Sequence, residues 1–279
     1  MGYIKKECHI NDKIEVEKYY PARYGAPGMP REEKKKKTPE EMAKQNFWKK
    51  CQYLRRTMEL NFKGGDLHVT LTRQTEKRPT VEEAPKVIRD FRDKMARAYK
   101  KQGWEFKYII TCETGLRGAV HWHMICNNMQ SAKIGTWDMI RKYWSRGRPY
   151  FVPLDDDREY GRLAEYIVKE HRRKTEQGET IEKLSYIPSR NLIRPVERKE
   201  KIRANSWRTV PKVPGGYYLV EESLINEINK FTGLPYQKYT LRRLQAPQEQ
   251  TGRKKKRKGG RGGGTQKSQS VHRHVHKRT

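Results

Sequence analysis

The sequence predicts an α+β protein, because patterns typical of strands and patterns typical of helices both recur along it. Two apolar runs, residues 107–113 and 119–126, flank a short turn that contains glycine, as in a β-hairpin. Residues 66–72 alternate between apolar and polar side chains, as a half-buried strand does. Residues 80–102 and 157–173 carry apolar side chains at helical spacing.

The charge of the chain indicates a polyanionic partner. The 279 residues include 63 Lys and Arg against 33 Asp and Glu, a formal net charge of +30. Basic side chains replace the counterions condensed along phosphates, so nucleic acid is the expected partner. No run approaches the roughly 20 apolar residues that span a bilayer, and residues 1–13 do not resemble a signal peptide. We therefore expect no membrane partner and a cytoplasmic location.

Composition sets the two ends of the chain apart from its centre. Residues 1–37 are polar, end in a run of lysines, and are predicted to form a flexible basic arm that becomes ordered on DNA. Residues 204–244 contain an aromatic patch and are predicted to be an accessory segment. From Arg242 onward there are 13 Lys and Arg and one Glu, so residues 245–279 are predicted to be a disordered, phosphate-seeking tail.

An amphipathic helix is predicted over residues 38–60. Thr38 can cap it, and Pro39 suits the first helical position. Its apolar residues recur at helical spacing, and its other faces are strongly basic. The helix is therefore expected either to pack on the domain with a solvated outer face or to contact DNA.

The strand at residues 66–72 has one apolar and one polar face. Its second, fourth and sixth residues, Leu67, Val69 and Leu71, face the core. Thr70 and Thr72 lie on the other face, where a nucleic-acid backbone can run, and we expect them to contact DNA. Helix 80–102 begins with a capping box and ends at a glycine.

A short helix at residues 136–144 and a strand at residues 148–154 follow the hairpin. Trp137 and Trp144 lie on one side of the short helix with Ile140. They are expected to belong to the core, with a stacking platform for bases as the alternative.

The hairpin carries a candidate metal site. His121 and His123 share one face of their strand because successive side chains alternate. If Glu113 lies opposite Ala119 and Thr111 opposite His121, Glu113 joins that face. Two imidazoles and one carboxylate would then form a three-ligand divalent-metal site. The alternative is two half-exposed histidines, since the His-x-His pattern alone is weak and recurs at residues 274–276 in the tail.

Helix 157–173 presents an apolar face that includes Tyr160 and an opposite, basic face. The basic face contains Arg162, Tyr166, Lys169 and Arg173. An aromatic residue in a basic row indicates contact with DNA, and a tyrosine at the domain edge is the alternative. The three aspartates at 155–157 are expected to cap the helix, with metal ligation as the other interpretation.

Three motifs in this order resemble the HUH endonuclease superfamily. They are residues 68–72 (HVTLT), the pair His121–His123 with Glu113 upstream, and Tyr166-Ile167-Val168-Lys169. The sequence most resembles the rolling-circle replication initiators of phages, plasmids and other mobile elements. Because Tyr160 and Tyr166 lie on different helix faces, the resemblance is to the single-tyrosine type.

The resemblance implies an HUH endonuclease fold over residues 61–203, with a central antiparallel, RRM-like sheet and packed helices. It implies a divalent ion, Mg²⁺ or Mn²⁺, held by Glu113, His121 and His123. Tyr166 would attack a phosphate of single-stranded or hairpin origin DNA, leaving a 5′-phosphotyrosine and a free 3′-hydroxyl, and Lys169 would favour the phenolate or hold the DNA.

The chain lacks the Gly-x-x-x-x-Gly-Lys-Ser/Thr loop of larger initiators, so a host helicase is an expected partner, with a host polymerase extending the 3′ end. A relaxase or a transposase of the same superfamily is a second hypothesis. A non-catalytic RRM-like nucleic-acid-binding protein is a third.

Overall fold

The computed structural model describes residues 2–21, 38–74, 76, 78–80, 82–114, 120–130, 134–145, 147–176, 186–229 and 233–244, with backbone alone at 114 and 170–176. The described residues form strands β1 (Tyr3–Ile10), β2 (Lys13–Tyr19), β3 (Leu67–Leu71), β4 (Tyr108–Thr114), β5 (Val120–Cys126), β6 (Pro149–Pro153), β7 (Ile187–Pro188), β8 (Glu197–Ile202), β9 (Tyr217–Ile228) and β10 (Pro235–Arg243). They also form helices α1 (Pro39–Asn61), α2 (Ala84–Lys101), α3 (Thr136–Tyr143) and α4 (Gly161–Glu176). The predicted α+β class is confirmed.

One antiparallel sheet, here called the histidine sheet, has the strand order β6-β3-β5-β4-β7. Its middle strand, β5, carries the paired histidines, as the RRM-like layout implies. Helices α2 and α3 pack on one face through a core that contains Leu71, Trp122 and Met124. Helices α1 and α4 cover part of the other face, where Ile109 and Ile125 are buried. The sheet is therefore apolar on one face and only partly covered on the other.

The register of β4 and β5 differs from the expected one by two residues. Glu113 lies opposite His121, and Thr111 lies opposite His123. The expected register would have set His123 against Ile109, inside the apolar cluster under α1 and α4. The observed register pairs Ile109 with Ile125 there instead. Because side chains alternate with a period of two, a shift of two residues keeps Glu113 on the histidine face.

A second antiparallel sheet, here called the terminal sheet, has the order β8-β1-β2-β10-β9. The flexible arm predicted for residues 1–37 is wrong for residues 3–19, which form the hairpin of β1 and β2. The accessory segment predicted at 204–244 supplies β9 and β10, and β10 pairs with β2. These partners lie about two hundred residues away in sequence, so local patterns did not reveal them. Residues 22–37 and 245–279 lie outside the described residues.

Helix α1 packs between the two sheets as an amphipathic element. Its apolar side includes Leu54 and Met58, which are buried with α4. On its other side Arg56 forms ion pairs of 2.7 Å with Glu15 of β2 and with Glu197 of β8. The capping box predicted at its start is present at Thr38. Arg56 on the basic side of α1 therefore binds carboxylates of the terminal sheet. This favours packing on the protein over contact with DNA for this residue.

Two helices begin later than predicted. Helix α2 begins at Ala84 rather than at residue 80. Helix α4 begins at Gly161 rather than Asp157, whose Oδ1 accepts from the Glu159 N–H in the preceding turn. Strand β7 covers Ile187–Pro188, and residues 177–185 lie outside the described part. Trp144 is buried, as expected, and Trp137 stacks on Phe151 with 4.3 Å between ring centroids. Among the described helices, none combines the length and apolar character needed to cross a membrane.

Candidate active site

The α4 side of the histidine sheet changes character along its strands. On β5 this side shows Ile125, then His123 and His121, and on β4 it shows Ile109 and then Glu113 beyond Thr111. The isoleucines are buried beneath α1 and α4. The polar residues follow these isoleucines along the same strands, so the candidate metal ligands lie next to a packed core.

Three side chains converge at this edge. The ligand atoms of Glu113, His121 and His123 all lie within 4.8 Å of one another. Glu113 Oε2 is 3.0 Å from His121 Nε2 and 3.4 Å from His123 Nε2. The carboxylate is nearly buried, with 8% of its side chain exposed, while the two imidazoles are partly exposed. The structure thus brings together the three residues predicted from the hairpin.

The neighbouring imidazoles keep Glu113 ionised. Burial alone would raise the pKa of this carboxyl. The contacts with His121 and His123 outweigh burial and bring the pKa well below its ordinary range. A carboxylate, rather than a carboxylic acid, is the form that binds a cation.

The donor set fits a divalent cation. Within the described residues, the buried Glu113 Oε1 makes no hydrogen bond, and the buried His123 Nε2 has no hydrogen-bond partner besides its 3.4 Å contact with Glu113 Oε2. Buried polar atoms of this kind normally have a partner, and a cation would supply one to both. One carboxylate and two imidazoles leave coordination positions for substrate oxygens. These residues are therefore compatible with a divalent metal.

Thr70 contacts the His123 imidazole at the ring nitrogen that does not face Glu113. Its Oγ1 lies 3.3 Å from His123 Nδ1, the ring nitrogen farther from Glu113. A partner at Nδ1 fixes the ring orientation and leaves Nε2 available as a ligand. Thr72, the other threonine predicted to contact DNA, is exposed and donates to the Arg148 carbonyl oxygen at 2.9 Å.

We expect Thr70→Val to weaken Mn²⁺ binding by about 10- to 100-fold, the usual cost of losing a partner that orients a metal-bound histidine. Isothermal titration calorimetry of the purified full chain measures this directly. Thr72→Val is the matched control, because it removes a hydroxyl from the same strand region without touching an imidazole. Equal losses in the two variants would contradict a positioning role for Thr70.

His68 lies beside the site as a third histidine. Its ring centroid is 5.5 Å from that of His123, and its Nε2 is buried without a hydrogen bond among the described residues. Burial, with a smaller contribution from the charge of His123, lowers the pKa of His68 to about 4. His68 is therefore neutral near pH 7 and adds no positive charge to the site.

Tyr166, on helix α4, contacts two of the three candidate metal ligands, Glu113 and His123. Its hydroxyl donates to Glu113 Oε2 at 3.4 Å, and its ring meets the His123 ring edge-on with centroids 5.8 Å apart. The side chain is 40% exposed, so a substrate can approach it. Tyr160, by contrast, is buried in the core. The predicted burial of Tyr160 and exposure of Tyr166 are confirmed, although Tyr160 precedes α4 and does not lie on one of its faces.

The structure describes the side chains of two of the three basic residues predicted near Tyr166. Arg162 and Lys169 are exposed on α4, with Lys169 one turn beyond Tyr166. The side chain of Arg173 lies outside the described residues. The DNA contacts assigned to these residues stay predictions.

Tyr150 is a candidate DNA-binding residue that the sequence analysis did not identify. It lies opposite Thr70, which lies opposite His123, so all three share the face of the candidate metal ligands. Tyr150 is 68% exposed, whereas its neighbour Phe151 packs against Trp137 on the other face. The alternation of side chains in residues 149–153 places Tyr150 and Phe151 on opposite faces. Only the strand pairing shows that Tyr150 is on the face of the histidines.

Part of the chain matches a known protein family. Residues 66–171 match the family described as Replication-associated protein ORF2/G2P. The match spans β3 to α4 and includes the candidate metal ligands, Thr70, Tyr150 and Tyr166. The comparisons with curated proteins and with solved structures gave no significant match. The family match supports a replication-associated function.

Proposed function

We propose that this protein is a rolling-circle replication initiator that nicks and rejoins single-stranded DNA at an origin. The observation that carries the proposal is the Tyr166 hydroxyl, 3.4 Å from Glu113 Oε2 at the edge of a three-residue metal-ligand cluster. A nucleophile and a cation can therefore act on one phosphodiester. The match of residues 66–171 to a replication-associated family supports the same conclusion.

Glu113, His121 and His123 would hold Mg²⁺ or Mn²⁺, which when bound supplies Lewis acidity and positions the scissile phosphate. Glu113 also accepts the hydrogen bond of the Tyr166 hydroxyl and so fixes the direction of the phenol oxygen. Because the pKa of Glu113 is well below its ordinary range, Glu113 is a poor base and acts by orientation.

Tyr166 would attack in line. The bond from its oxygen to phosphorus forms while the bond from phosphorus to the 3′ oxygen breaks, and that oxygen leaves as a 3′-hydroxyl after taking a proton. An unperturbed phenol has a pKa of about 10, so nearby positive charge must favour the phenolate. Lys169, one turn along α4, is the candidate cation from the protein. The phosphotyrosine keeps the phosphodiester's energy, so the strands can be rejoined.

DNA would cross the open part of the histidine sheet. Tyr150 offers an exposed ring for a base in the same cross-strand row as His123. Exposed Arg162 and Lys169 would meet phosphates, and Arg173 and the basic tail would add to this attraction. A host helicase and polymerase complete the reaction in this proposal.

We expect Tyr150→Ala to raise the dissociation constant for single-stranded DNA by about 5- to 150-fold, since stacking contributes about 1–3 kcal/mol per base. Fluorescence anisotropy at raised salt, with EDTA present, separates stacking from phosphate attraction. Tyr218→Ala, which removes an exposed tyrosine from the terminal sheet, is the control. An unchanged dissociation constant for Tyr150→Ala would exclude this base contact.

The proposed function is tested by incubating the full chain with end-labelled single-stranded oligonucleotides and Mn²⁺. The oligonucleotides tile the DNA on which the coding sequence lies. We expect one of them to form an adduct that survives boiling in detergent and that EDTA prevents. The absence of any adduct with Mn²⁺ or Mg²⁺ would instead favour the non-catalytic nucleic-acid-binding protein. A relaxase or transposase would form the adduct on different DNA.

A further inference from the structure

The terminal sheet carries a pocket of about 480 Å³ that is separate from the metal ligands. Its position follows from strand alternation: Glu15 faces α1, whereas Val16 and Lys18 face the other way. The pocket lies on this second face. Its lining includes the aromatic residues Tyr3, Trp207 and Tyr239 and the basic residues Lys5, Lys18, Arg208 and Lys212.

The floor of the pocket holds a buried cation without an acidic partner at hydrogen-bond distance. Lys18 is 8% exposed, and its ammonium donates to Gln237 Oε1 at 2.9 Å, a neutral acceptor. Burial, and then the positive charge of Lys5, lower the pKa of Lys18. Buried ammonium groups are normally paired with an anion. The arrangement therefore leaves positive charge available to a ligand.

The amide beneath Lys18 is fixed in one orientation. Gln237 is fully buried, and its Nε2 donates to the carbonyl oxygens of Arg208 and Thr209 and to Asn226 Oδ1. Its Oε1 is thus held toward the lysine. This network keeps the ammonium in place before any ligand binds.

The rest of the lining is basic and aromatic. None of the lining residues is acidic, although Lys5 contacts Glu7 at 2.6 Å. The Trp207 ring meets Tyr3 edge-on, with centroids 4.9 Å apart. Lys18 lies 5.1 Å from the centroid of the Tyr239 ring. Positive charge beside large ring surfaces is the combination that binds a phosphate and the base attached to it.

We propose that this pocket binds one nucleoside phosphate, with the phosphate at Lys18 and the base against Trp207. Its volume falls in the range of small-ligand pockets, roughly 300–1,000 Å³. The ligand would be either a single unit of a DNA strand or a free mononucleotide. The pocket lies on the terminal sheet, so it is a second nucleotide site beyond the proposed nicking site.

The test is photocrosslinking of the full chain with EDTA present and in a Tyr166→Phe background, so that no covalent chemistry at the metal ligands contributes. One probe is 5-iododeoxyuridine monophosphate, and the other is a single-stranded oligonucleotide with one 5-iododeoxyuridine. Mass spectrometry then identifies the crosslinked residues. We expect crosslinks at Trp207, Tyr3 or Tyr239.

Lys18→Met should reduce these crosslinks by about tenfold or more, because it removes a charged hydrogen-bond donor to the phosphate. Lys201→Met is the matched control, since Lys201 is exposed on the opposite face of the same sheet. If circular dichroism shows Lys18→Met to be unfolded, the exposed pair Arg208→Ala and Lys212→Ala replaces it with the same expectation.

The two probes distinguish the sources of the ligand. Crosslinks with both probes assign the pocket to a free nucleotide, and crosslinks with the oligonucleotide alone assign it to a DNA strand. No crosslink at the three aromatic residues, or equal crosslinking of the Lys18 and Lys201 variants, would overturn the proposal. None of these results depends on cleavage, so they stand apart from the test of the nicking reaction.

Discussion

Tyr166→Phe is expected to eliminate the covalent protein–DNA adduct and to reduce strand cleavage by at least about 10³-fold, with single-stranded DNA affinity unchanged. The substitution removes the one oxygen that attacks phosphorus in the proposed reaction. The ring that meets His123 edge-on stays, so packing at the site is preserved. Adduct formation on labelled DNA and anisotropy in EDTA measure the two properties separately.

Tyr160→Phe is the matched control for this experiment. Tyr160 immediately precedes α4, is buried, and its hydroxyl makes no hydrogen bond among the described residues. Its removal should leave folding and cleavage unchanged. An adduct that persists in Tyr166→Phe, or that disappears in Tyr160→Phe, would show that the nucleophile lies elsewhere.

Glu113→Gln is expected to abolish detectable metal binding and to lower cleavage by about 10²-fold or more. The amide keeps the shape of the side chain but removes the negative charge between the two imidazoles. At Mn²⁺ about 100 times its dissociation constant, binding should stabilise the unsubstituted protein by about 2.7 kcal/mol. A thermal melt with and without Mn²⁺ reports this gain, and the variant should lose it.

Glu105→Gln controls for the loss of one carboxylate. Glu105 is exposed just before β4, at the end of that strand far from Glu113. This variant should keep the full response of the melting temperature to Mn²⁺. A response retained in Glu113→Gln, or lost to the same extent in both variants, would argue against the carboxylate as a metal ligand.

The hairpin and its polar face could be predicted from local sequence because strand alternation fixes which side chains share a face. Alternation does not fix which residues lie opposite one another. That choice depended on the apolar pair Ile109 and Ile125, which must lie together under α1 and α4. The prediction that Glu113 shares a face with the two histidines was therefore correct. The residue predicted to lie opposite Glu113, Ala119, was wrong, because Glu113 lies opposite His121.

The terminal sheet escaped prediction for a different reason. Strands β1 and β2 alternate charged residues with only a few apolar ones, so their composition is that of a solvated segment. Their charges are used in ion pairs such as Arg56 with Glu15, and their other strand partners come from the far end of the chain. Contacts of this kind are tertiary and leave no periodic signal in a short window.

The same limit applies to Thr70 and Tyr150. The sequence placed Thr70 on a polar strand face. Its contact with His123 Nδ1 follows from the pairing of β3 with β5. Tyr150 lay in a predicted strand, and no sequence pattern there indicated the base contact proposed for it. Both positions depend on the order of strands in the sheet, which local patterns do not encode.

In the proposed reaction, the Tyr166 oxygen attacks a phosphodiester held at Glu113, His121 and His123. The most direct test is to digest the purified adduct with trypsin and to identify the modified peptide by mass spectrometry. We expect the peptide of residues 163–169, with a 5′-phosphorylated nucleotide on Tyr166, and a released strand that ends in a 3′-hydroxyl. Attachment to another residue, or linkage through a 3′-phosphate, would contradict this reaction.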